Sequence, residues 1–249
     1  MFNYGFIIPV YNHPHYIQAL IEHLMQFELP IILVNDGSDA ECTQLLRDIA
    51  TQFEQVNLVE HEQNQGKGQA VITGLNKAFE LGLSHALQID SDGQHDWNDI
   101  AKFIDISKQH PHAMIIGQPV FDETVPKGRL YGRYATHIWV WINSLSFEIK
   151  DSMCGFRVYP LAETLSVIQT AKFQLRMGFD SEILVRLKWD NVSFVNVPTK
   201  VIYPEQGISH FHAWRDNLGM SKAHSRLFAG MLLRLPKLLR NKYKGSVDD

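Results

Sequence analysis

Five short apolar segments recur along the first half of the chain, separated by amphipathic stretches of helical length. The segments are YGFIIPV (4–10), IILVND (31–36), VNLVEH (56–61), HALQID (85–90) and HAMIIG (112–117). Continuous apolar runs rich in β-branched residues are typical of strands covered on both faces of a parallel sheet. The stretches between them predict helices at 15–27, 40–53, 68–81 and 97–109. This alternation predicts an α/β fold with a right-handed, doubly wound, mostly parallel sheet.

The alternation stops after Gly117. Residues 119–133 combine turn residues with charges and show no clear period, which predicts a loop. The remaining predicted elements are helices at 129–147, at 161–171 and within 177–189, short strands at 192–197 and 200–203, and a C-terminal helix at 213–244. We expect one apolar face on the helix within 177–189 and a break at Pro236 in the last helix. The chain is therefore divided into a main domain at 1–212 and a helical tail at 213–249.

The bulk composition excludes several classes of protein. The 249 residues carry a formal net charge of −4, whereas nucleic-acid binders are normally basic, so we expect no nucleic-acid partner. Two cysteines are too few for a disulfide scaffold and fit a reducing, cytosolic setting. No signal peptide is visible, and no apolar run is long enough to span a bilayer.

Polar residues follow the predicted strands, and ligands of parallel sheets bind beyond the carboxyl ends of the strands. In IDSDGQHD (89–96), Asp90 and Asp92 point the same way if the strand continues. Two close carboxylates repel each other unless a cation lies between them. Mg²⁺ and Mn²⁺ prefer carboxylate oxygens and keep positions open for substrate phosphates. This segment therefore favours a metal site over a solvated turn with capping aspartates.

Weaker signals accompany this pair. Asp36 lies in an Asp-Gly-Ser turn and could also contact a base or a ribose. The loop NQGKGQAVITG (64–74) is neither a Walker A loop nor a dinucleotide fingerprint, but glycines at a helix start leave N–H groups for an anion. Arg129, Arg133 and Arg157 suit phosphate binding, although single arginines more often lie on the surface.

Two further pairs stay open between a chemical and an ordinary role. Asp180 and Glu182 begin a predicted helix, where an acid can be a cap or a general base. His210 and His212 have a spacing compatible with metal ligation, although histidines without a metal are commoner.

Together these stretches resemble the family 2 glycosyltransferases with a GT-A fold, over about residues 4–205. Their order and spacing are most similar to the dolichol- and polyprenyl-phosphate sugar synthases. The resemblance implies transfer of a sugar from a UDP- or GDP-linked donor to a lipid-linked acceptor, with inversion and with Mg²⁺ or Mn²⁺ as cofactor. The stretches that carry it are IIPVYN (7–12), VNDGSD (34–39), NQGKGQAVITG (64–74), IDSDGQHD (89–96) and DSMCGFRVYP (151–160).

The resemblance also implies a donor site. Its nucleotide-binding residues are Pro9, Tyr11, Val34, Asp36, Lys67, Asp90, Ser91 and Asp92. The first four would hold the base and ribose. Asp90 and Asp92 would hold the diphosphate through the metal, with Gln94 completing the metal shell, and Asp92 counts as catalytic for that reason. Some GT-A enzymes use a late histidine as a metal ligand, which makes His210 and His212 candidates.

For the acceptor, Arg129 and Arg133 match the basic pair that faces a lipid phosphate in these enzymes, and Arg157 is grouped with them. Asp180 or Glu182 falls near the acidic base motif. An acceptor phosphate is already ionised and needs little help from a base, whereas a hydroxyl acceptor needs one.

The chain also departs from the family pattern. His13 follows the Tyr-Asn pair where an acid is frequent, Asn35 replaces the first of two acids, and Gln118 and Pro119 stand where the lipid-phosphate enzymes tend to carry an arginine. Three alternatives therefore stay open: a glycosyltransferase acting on a non-lipid hydroxyl, a nucleotidyltransferase, or an inactive nucleotide-binding scaffold.

The C-terminal stretch SRLFAGMLLRLPKLLRNKYK (225–244) mixes leucines with six basic residues and contains no acid. Such a helix is typical of attachment to an anionic membrane surface, or it packs on its own domain with its charges in water. We favour the membrane, and expect a peripheral protein on the inner face of the cytoplasmic membrane, in the synthesis of cell-envelope glycans or glycolipids.

Overall fold

The computed structural model describes residues 2–121, 127–201 and 213–245, with backbone alone at 127–130, 213–216 and 242–245. The strands are β1 (Tyr4–Val10), β2 (Ile31–Asn35), β3 (Val56–Glu60), β4 (His85–Gln88), β5 (Met114–Val120), β6 (Arg157–Pro160) and β7 (Phe194–Lys200). The helices are α1 (Ile17–Leu24), α2 (Ala40–Gln52), α3 (Lys67–Glu80), α4 (Ile100–Gln109), α5 (Lys127–Ser144), α6 (Leu161–Thr170), α7 (Phe179–Trp189) and α8 (Ala213–Gly245). The alternation predicted for the first half is confirmed, with small shifts at the element ends.

The described strands form one sheet in the order β3-β2-β1-β4-β6-β5-β7. Strands β1 to β4 pair in parallel, and so do β5 and β7. Strand β6 is antiparallel to both of its neighbours, β4 and β5. The segment that precedes β6 therefore lies at the same edge of the sheet as the carboxyl end of β4, which Asp90 follows. This one reversed strand brings residues 151–156 to the predicted metal site.

Both faces of the sheet are covered, as the continuous apolar strands predict. On β1, Ile7 packs into the cluster under α3, α6, α7 and α8, whereas Phe6 and Ile8 pack into the cluster under α1, α2 and α4. Alternate residues of a strand point to opposite faces, so β1 contributes to both halves of the core.

Two predictions for the second half are wrong in detail. The strand predicted at 192–197 is observed as β7, which begins at Phe194, continues to Lys200 and pairs with β5 from Met114↔Phe194 to Val120↔Lys200. Residues 202–203 of the strand predicted at 200–203 lie outside the described residues. Strand β5 also continues to Val120, into the predicted loop. Its register with β6 covers only Ile115 and Ile116, so Pro119 lies beyond that pairing, at a strand position that tolerates a missing N–H.

Helix α7 is buried on nearly every side, whereas its sequence predicts one apolar face. Helices α5, α6 and α8 all pack against it. Its two acids, Asp180 and Glu182, are buried with the apolar residues and are compensated by cations, which keeps the burial tolerable. An acidic residue in this helix therefore does not indicate that its side of the helix faces solvent.

Helix α8 is part of the core as well as a tail. Leu227, Met231 and Leu238 belong to the same cluster as the residues under α3 and α7. The predicted break at Pro236 is wrong, because the helix continues through it with core contacts on both sides. Leu232 and Leu233 remain 51% and 84% exposed. Among the described residues, no helix combines the length and the apolar character that crossing a membrane requires.

Candidate active site

Asp90 lies just past β4 in a network of opposite charges. Its Oδ2 accepts a 2.7 Å hydrogen bond from Nζ of Lys67, and its Oδ1 accepts one from Gln88. The same ammonium lies 3.2 Å from Asp180 Oδ2. Burial opposes the charge on Asp90, but Lys67 holds the pKa of Asp90 well below its ordinary value. The pKa of Lys67 is correspondingly raised, because Asp180 and Asp90 outweigh the burial of its ammonium.

The tight turn after Asp90 fixes the second carboxylate. Asp92 Oδ1 accepts a 3.0 Å bond from the backbone N–H of Gln94. Gly93 between them has φ +72°, and a Cβ there would strike the ring of Tyr16, so only glycine fits. The turn therefore needs the glycine that the chain carries between Asp92 and Gln94.

Asp90, Asp92 and Gln94 line one cavity of about 50 Å³. The other residues of its wall are His95, Pro119, Arg133, Met153, Cys154, Gly155 and Val201. Two carboxylates and an amide are the oxygen donors that Mg²⁺ and Mn²⁺ prefer, and these ions keep positions for water and phosphate. No three His, Cys, Asp or Glu of the described residues converge as a complete metal cage. The donor set therefore fits a cation that takes part of its shell from substrate.

Gly155 decides whether Asp90 can occupy its place. A Cβ at this position would collide with the carboxylate of Asp90. The requirement arises because β6 enters the sheet antiparallel to β4, a direction that the sequence pattern does not predict. The signal that could have found it is the Cys-Gly-Phe-Arg stretch within DSMCGFRVYP.

Arg133 on α5 also lines the cavity. Its Nε and Nη2 donate to the two oxygens of Asp151 at 2.6 and 2.8 Å, and its guanidinium lies 5.3 Å from the ring centre of Phe121. Asp151 also contacts Nε2 of His137 at 3.2 Å. Burial opposes ionisation of Asp151, but His137 and Arg133 hold the pKa of Asp151 well below its ordinary value. Asp151 and His137 were not singled out from the sequence.

Arg157 does not face the cavity, so its predicted contact with an acceptor phosphate is wrong. The side chain is fully buried, and its nitrogens donate to the carbonyl oxygens of Ser152, Cys154 and Asp180. Its Nη1 also lies 3.2 Å from Asp180 Oδ1. Arg157 thus connects the 151–156 segment to α7 and stabilises the part of the chain that lines the cavity.

Asp36, like Arg157, is occupied by hydrogen bonds within the chain. Its oxygens accept hydrogen bonds from the backbone N–H groups of Gln65 and Gly66 and from the amide of Asn64, and one oxygen lies 2.8 Å from Nδ1 of His61. Asp36 therefore fixes the loop that precedes Lys67. A direct contact with base or ribose would have to compete with all of these partners.

The other predicted donor residues lie along the neighbouring strand ends. Pro9 is half-buried in β1, Val34 is buried in β2, and Tyr11 is half-buried just past β1. The hydroxyl of Ser91 donates to the carbonyl of Pro9 at 3.2 Å, which ties the end of β1 to the Asp90–Asp92 turn. These residues thus share the edge at which the sequence analysis expects a nucleotide.

Glu182 lies away from the cavity, whereas Asp180 is linked to Asp90 through the ammonium of Lys67. Its Oε1 accepts two bonds from Arg186, and its Oε2 accepts bonds from Arg226 of α8 and from the backbone N–H of Gln174. The carboxylate is fully buried among these partners. This placement contradicts a role as general base and makes Glu182 the link between α7 and α8.

Three predicted site residues have no described side chain. Arg129 lies in α5, of which only the backbone is described at that position. His210 and His212 lie outside the described residues.

Comparison with known proteins identifies the class. The model of glycosyl transferase family 2 matches residues 6–167, well over half of the chain, so the chain belongs to that family. It is a glycosyltransferase with a GT-A fold. Glucosyl-3-phosphoglycerate synthase from Mycobacterium tuberculosis, solved with Mn²⁺ and UDP, shares this fold with a TM-score of 0.60 and 18% identity over 93% of this chain and 78% of that one. S. aureus TarS with UDP-GlcNAc gives a TM-score of 0.60 at 15% identity, over 93% and 66% of the two chains.

The curated relatives are closer in sequence. UDP-N-acetylglucosamine–dolichyl-phosphate N-acetylglucosaminyltransferase of Methanococcus voltae is 30% identical over 220 residues, which cover 82% of this chain and 87% of the relative. The dolichyl-phosphate beta-glucosyltransferase of Saccharomyces cerevisiae is 27% identical over 77% of this chain. The matched part spans 64% of the yeast protein, less than two thirds of its length.

Proposed function

We propose that this chain transfers a sugar, with inversion, from a nucleotide sugar to a polyprenyl-phosphate-like acceptor, in the synthesis of cell-envelope glycans or glycolipids. The observation that carries the proposal is one cavity lined both by Asp90, Asp92 and Gln94 and by Arg133. The three oxygen-bearing side chains suit a cation and a diphosphate, and the guanidinium suits an acceptor phosphate. The names of the two curated relatives, both dolichyl-phosphate glycosyltransferases, support the same acceptor class.

On the donor side, Asp92 and Gln94 would hold Mg²⁺ or Mn²⁺, with Asp90 beside them. The bound ion supplies positive charge where the diphosphate leaves. Asp90, itself fixed by Lys67 and Gln88, keeps the turn in one geometry, so that little reorganisation is needed as charge develops. Lys67, which donates a hydrogen bond to Asp90, adds to the positive field around a diphosphate.

On the acceptor side, Arg133 would bind the phosphate. Asp151 fixes the orientation of the guanidinium through two bonds. One phosphate oxygen then attacks the anomeric carbon, the bond from that carbon to the diphosphate breaks, and the nucleoside diphosphate leaves with the electron pair. The attacking oxygen is already ionised, so no general base is required.

Asp180 fits a positioning role better than a base role. Its two oxygens each lie 3.2 Å from a cation nitrogen, one of Lys67 and one of Arg157. A hydroxyl acceptor would need a carboxylate free to take its proton. The pairing of Asp180 therefore favours a phosphate acceptor over a hydroxyl acceptor.

A direct assay tests this function. The full chain is incubated with UDP- or GDP-sugars, Mn²⁺ and either a short polyprenyl phosphate or the polyprenol of the same length. We expect glycosylation of the phosphate, release of nucleoside diphosphate and no reaction of the alcohol. Transfer to the alcohol would support the hydroxyl-acceptor alternative, release of pyrophosphate would indicate a nucleotidyltransferase, and no turnover would support a scaffold.

We also propose that α5 and α8 together attach the protein to the inner face of the cytoplasmic membrane. Trp139 of α5 contacts Phe228 of α8 with ring centres 6.4 Å apart, which joins the two helices. The apolar residues that the two helices expose are Tyr131, Tyr134, Ile138, Trp139, Ile142, Leu218, Phe228, Leu232, Leu233 and Leu239. Basic side chains of α8 lie among them, a combination that suits an anionic bilayer.

Removing the exposed leucines should weaken this attachment. For Leu232→Ser/Leu233→Ser we expect about 100-fold weaker binding to anionic vesicles, since each leucine lost from an apolar interface costs about tenfold. Co-sedimentation measures the effect, with Phe79→Ser as a control because Phe79 is 58% exposed on α3. Deleting α8 is unsuitable, because its core residues stabilise the domain. Equal binding by all three proteins would contradict the proposal.

A further inference from the structure

His95 is buried without the hydrogen bonds that buried histidines normally make. Only 7% of the residue is exposed, and neither ring nitrogen has a hydrogen-bond partner among the described residues. Its Nε2 lies 3.8 Å from Asp90 Oδ2, which is too far for a hydrogen bond. An imidazole carries at least one N–H in either neutral tautomer and in the charged form. A donor is therefore left unsatisfied next to the cavity.

Other buried histidines of the chain show what a structural role looks like. His85 contacts Ser84 with one ring nitrogen and the carbonyl of Pro111 with the other. His137 contacts Ser152 and Asp151 in the same way. Buried His224 leaves one ring nitrogen without a partner among the described residues, whereas His95 leaves both. Because buried polar groups are normally paired, the case of His95 points to a partner that arrives with a ligand.

The ring of His95 is oriented by packing. It stacks on Phe156 with ring centres 5.2 Å apart, and Phe156 stacks in turn on Phe103 at 4.2 Å. The backbone of His95 forms an isolated bridge with Val201, which also lines the cavity. The donor is thus held at the cavity wall before any ligand binds, so little conformational freedom is lost on binding.

Two alternative partners fit the surroundings less well. Asp90 attracts the imidazole of His95 across 3.8 Å, but both oxygens of Asp90 already accept hydrogen bonds from Lys67 and Gln88. A role as a metal ligand is less favoured, because Mg²⁺ prefers oxygen ligands and Asp92 and Gln94 supply them in the same cavity. Of the residues that line the cavity with His95, Arg133 carries the positive charge that suits a phosphate.

We propose that His95 and Arg133 together bind the phosphate of the acceptor, with the imidazole N–H donating to one phosphate oxygen and the guanidinium to another. This assignment rests on the proposed function, since it requires an acceptor that carries a phosphate. Two donors that line the same cavity fix the orientation of the phosphate, and its third free oxygen is then available to attack the donor sugar. His95 is then a specificity-determining residue that favours a phosphate over an alcohol.

Two substitutions separate the N–H group from the shape of the ring. His95→Phe retains stacking on Phe156 and removes the donor, whereas His95→Asn retains an N–H donor. For His95→Phe we expect the KM for polyprenyl phosphate to rise about 10- to 100-fold. The Kd for geranyl phosphate, measured by calorimetry on metal-free protein, should rise by the same factor. His95→Asn should recover part of the loss. The Kd of UDP or GDP with Mn²⁺ should stay at the native value, which also shows that each variant is folded.

His112→Phe is the matched control, because this histidine is exposed and pairs with Glu163 far from the cavity. An unchanged KM and geranyl phosphate Kd in His95→Phe would overturn the assignment. A parallel loss of nucleotide affinity would overturn it as well and indicate a donor-side role. If the native enzyme uses the alcohol but not the phosphate, the proposed function fails and the assignment fails with it; if the native enzyme uses the phosphate and His95→Phe is normal, only the assignment fails.

Discussion

Replacing Asp92 with alanine should lower kcat/KM about 1,000-fold, because the loss of a metal contact that stabilises the leaving group is worth several kcal/mol. Asp92 is the carboxylate with the stronger case as a metal ligand. Its one hydrogen bond given by the structure, to the N–H of Gln94, engages Oδ1, whereas both oxygens of Asp90 are engaged by Lys67 and Gln88. We therefore expect Asp92→Ala to remove the Mn²⁺ dependence of nucleotide binding while leaving the fold intact.

Calorimetric titration of UDP and GDP, with and without Mn²⁺, measures this effect. Asp105→Ala is the matched control, because Asp105 lies exposed on α4 and pairs only with Lys108 three residues later. The control should bind nucleotide like the native protein. If Asp92→Ala still binds nucleotide more tightly with Mn²⁺ than without it, the metal site lies elsewhere. If the native protein binds neither nucleotide in either condition, the scaffold alternative gains support.

Replacing Glu182 with glutamine should lower the free energy of unfolding by about 3 kcal/mol, because a buried charge pair that loses one partner leaves the other charges uncompensated. The carboxylate is fully buried and accepts hydrogen bonds from Arg186, from Arg226 and from the backbone N–H of Gln174. The loss of stability should be at the lower end of the range for broken buried ion pairs, because the side chain of Arg226 is 50% exposed and can be rehydrated.

Urea unfolding at neutral pH measures the loss, with Glu80→Gln as control. Glu80 is exposed at the end of α3 and pairs only with Lys77, so we expect a change near zero. Arg226→Gln should cost less than Glu182→Gln, because it leaves Arg186 still paired. If Glu182→Gln is as stable as the native protein and loses activity with hydroxyl acceptors, the base role predicted from the sequence would be supported instead.

The contrast between Asp180 and Glu182 marks a limit of the sequence. Both are acids at the start of one predicted helix, and the pattern gives no reason to prefer either. In the helix they lie about 200° apart around the axis, so they point in different directions. Asp180 faces Lys67 and Arg157, and Glu182 faces α8. Which direction leads to the cavity depends on the packing of α7.

The arginines show the same limit. Arg133 and Arg157 are equal candidates for phosphate binding in the sequence, but Arg157 begins β6 and is enclosed between that strand and α7. The antiparallel direction of β6 could not be predicted from the sequence, because the pattern of a four-residue strand is the same for either direction. That reversal places Gly155 against Asp90 and Asp151 against Arg133.

The sequence alone determined the alternating α/β order, the family, and the place of Asp90, Asp92 and Gln94 at a strand end, because these depend on local periodicity and on motifs that are contiguous in the chain. Only the tertiary structure decided that Asp36, Arg157 and Glu182 bond to groups of this chain, and that the ring of His95 makes no hydrogen bond to any described residue. Those facts depend on which groups meet across elements distant in sequence, and hydrogen-bond satisfaction of a buried side chain is a property of the assembled core.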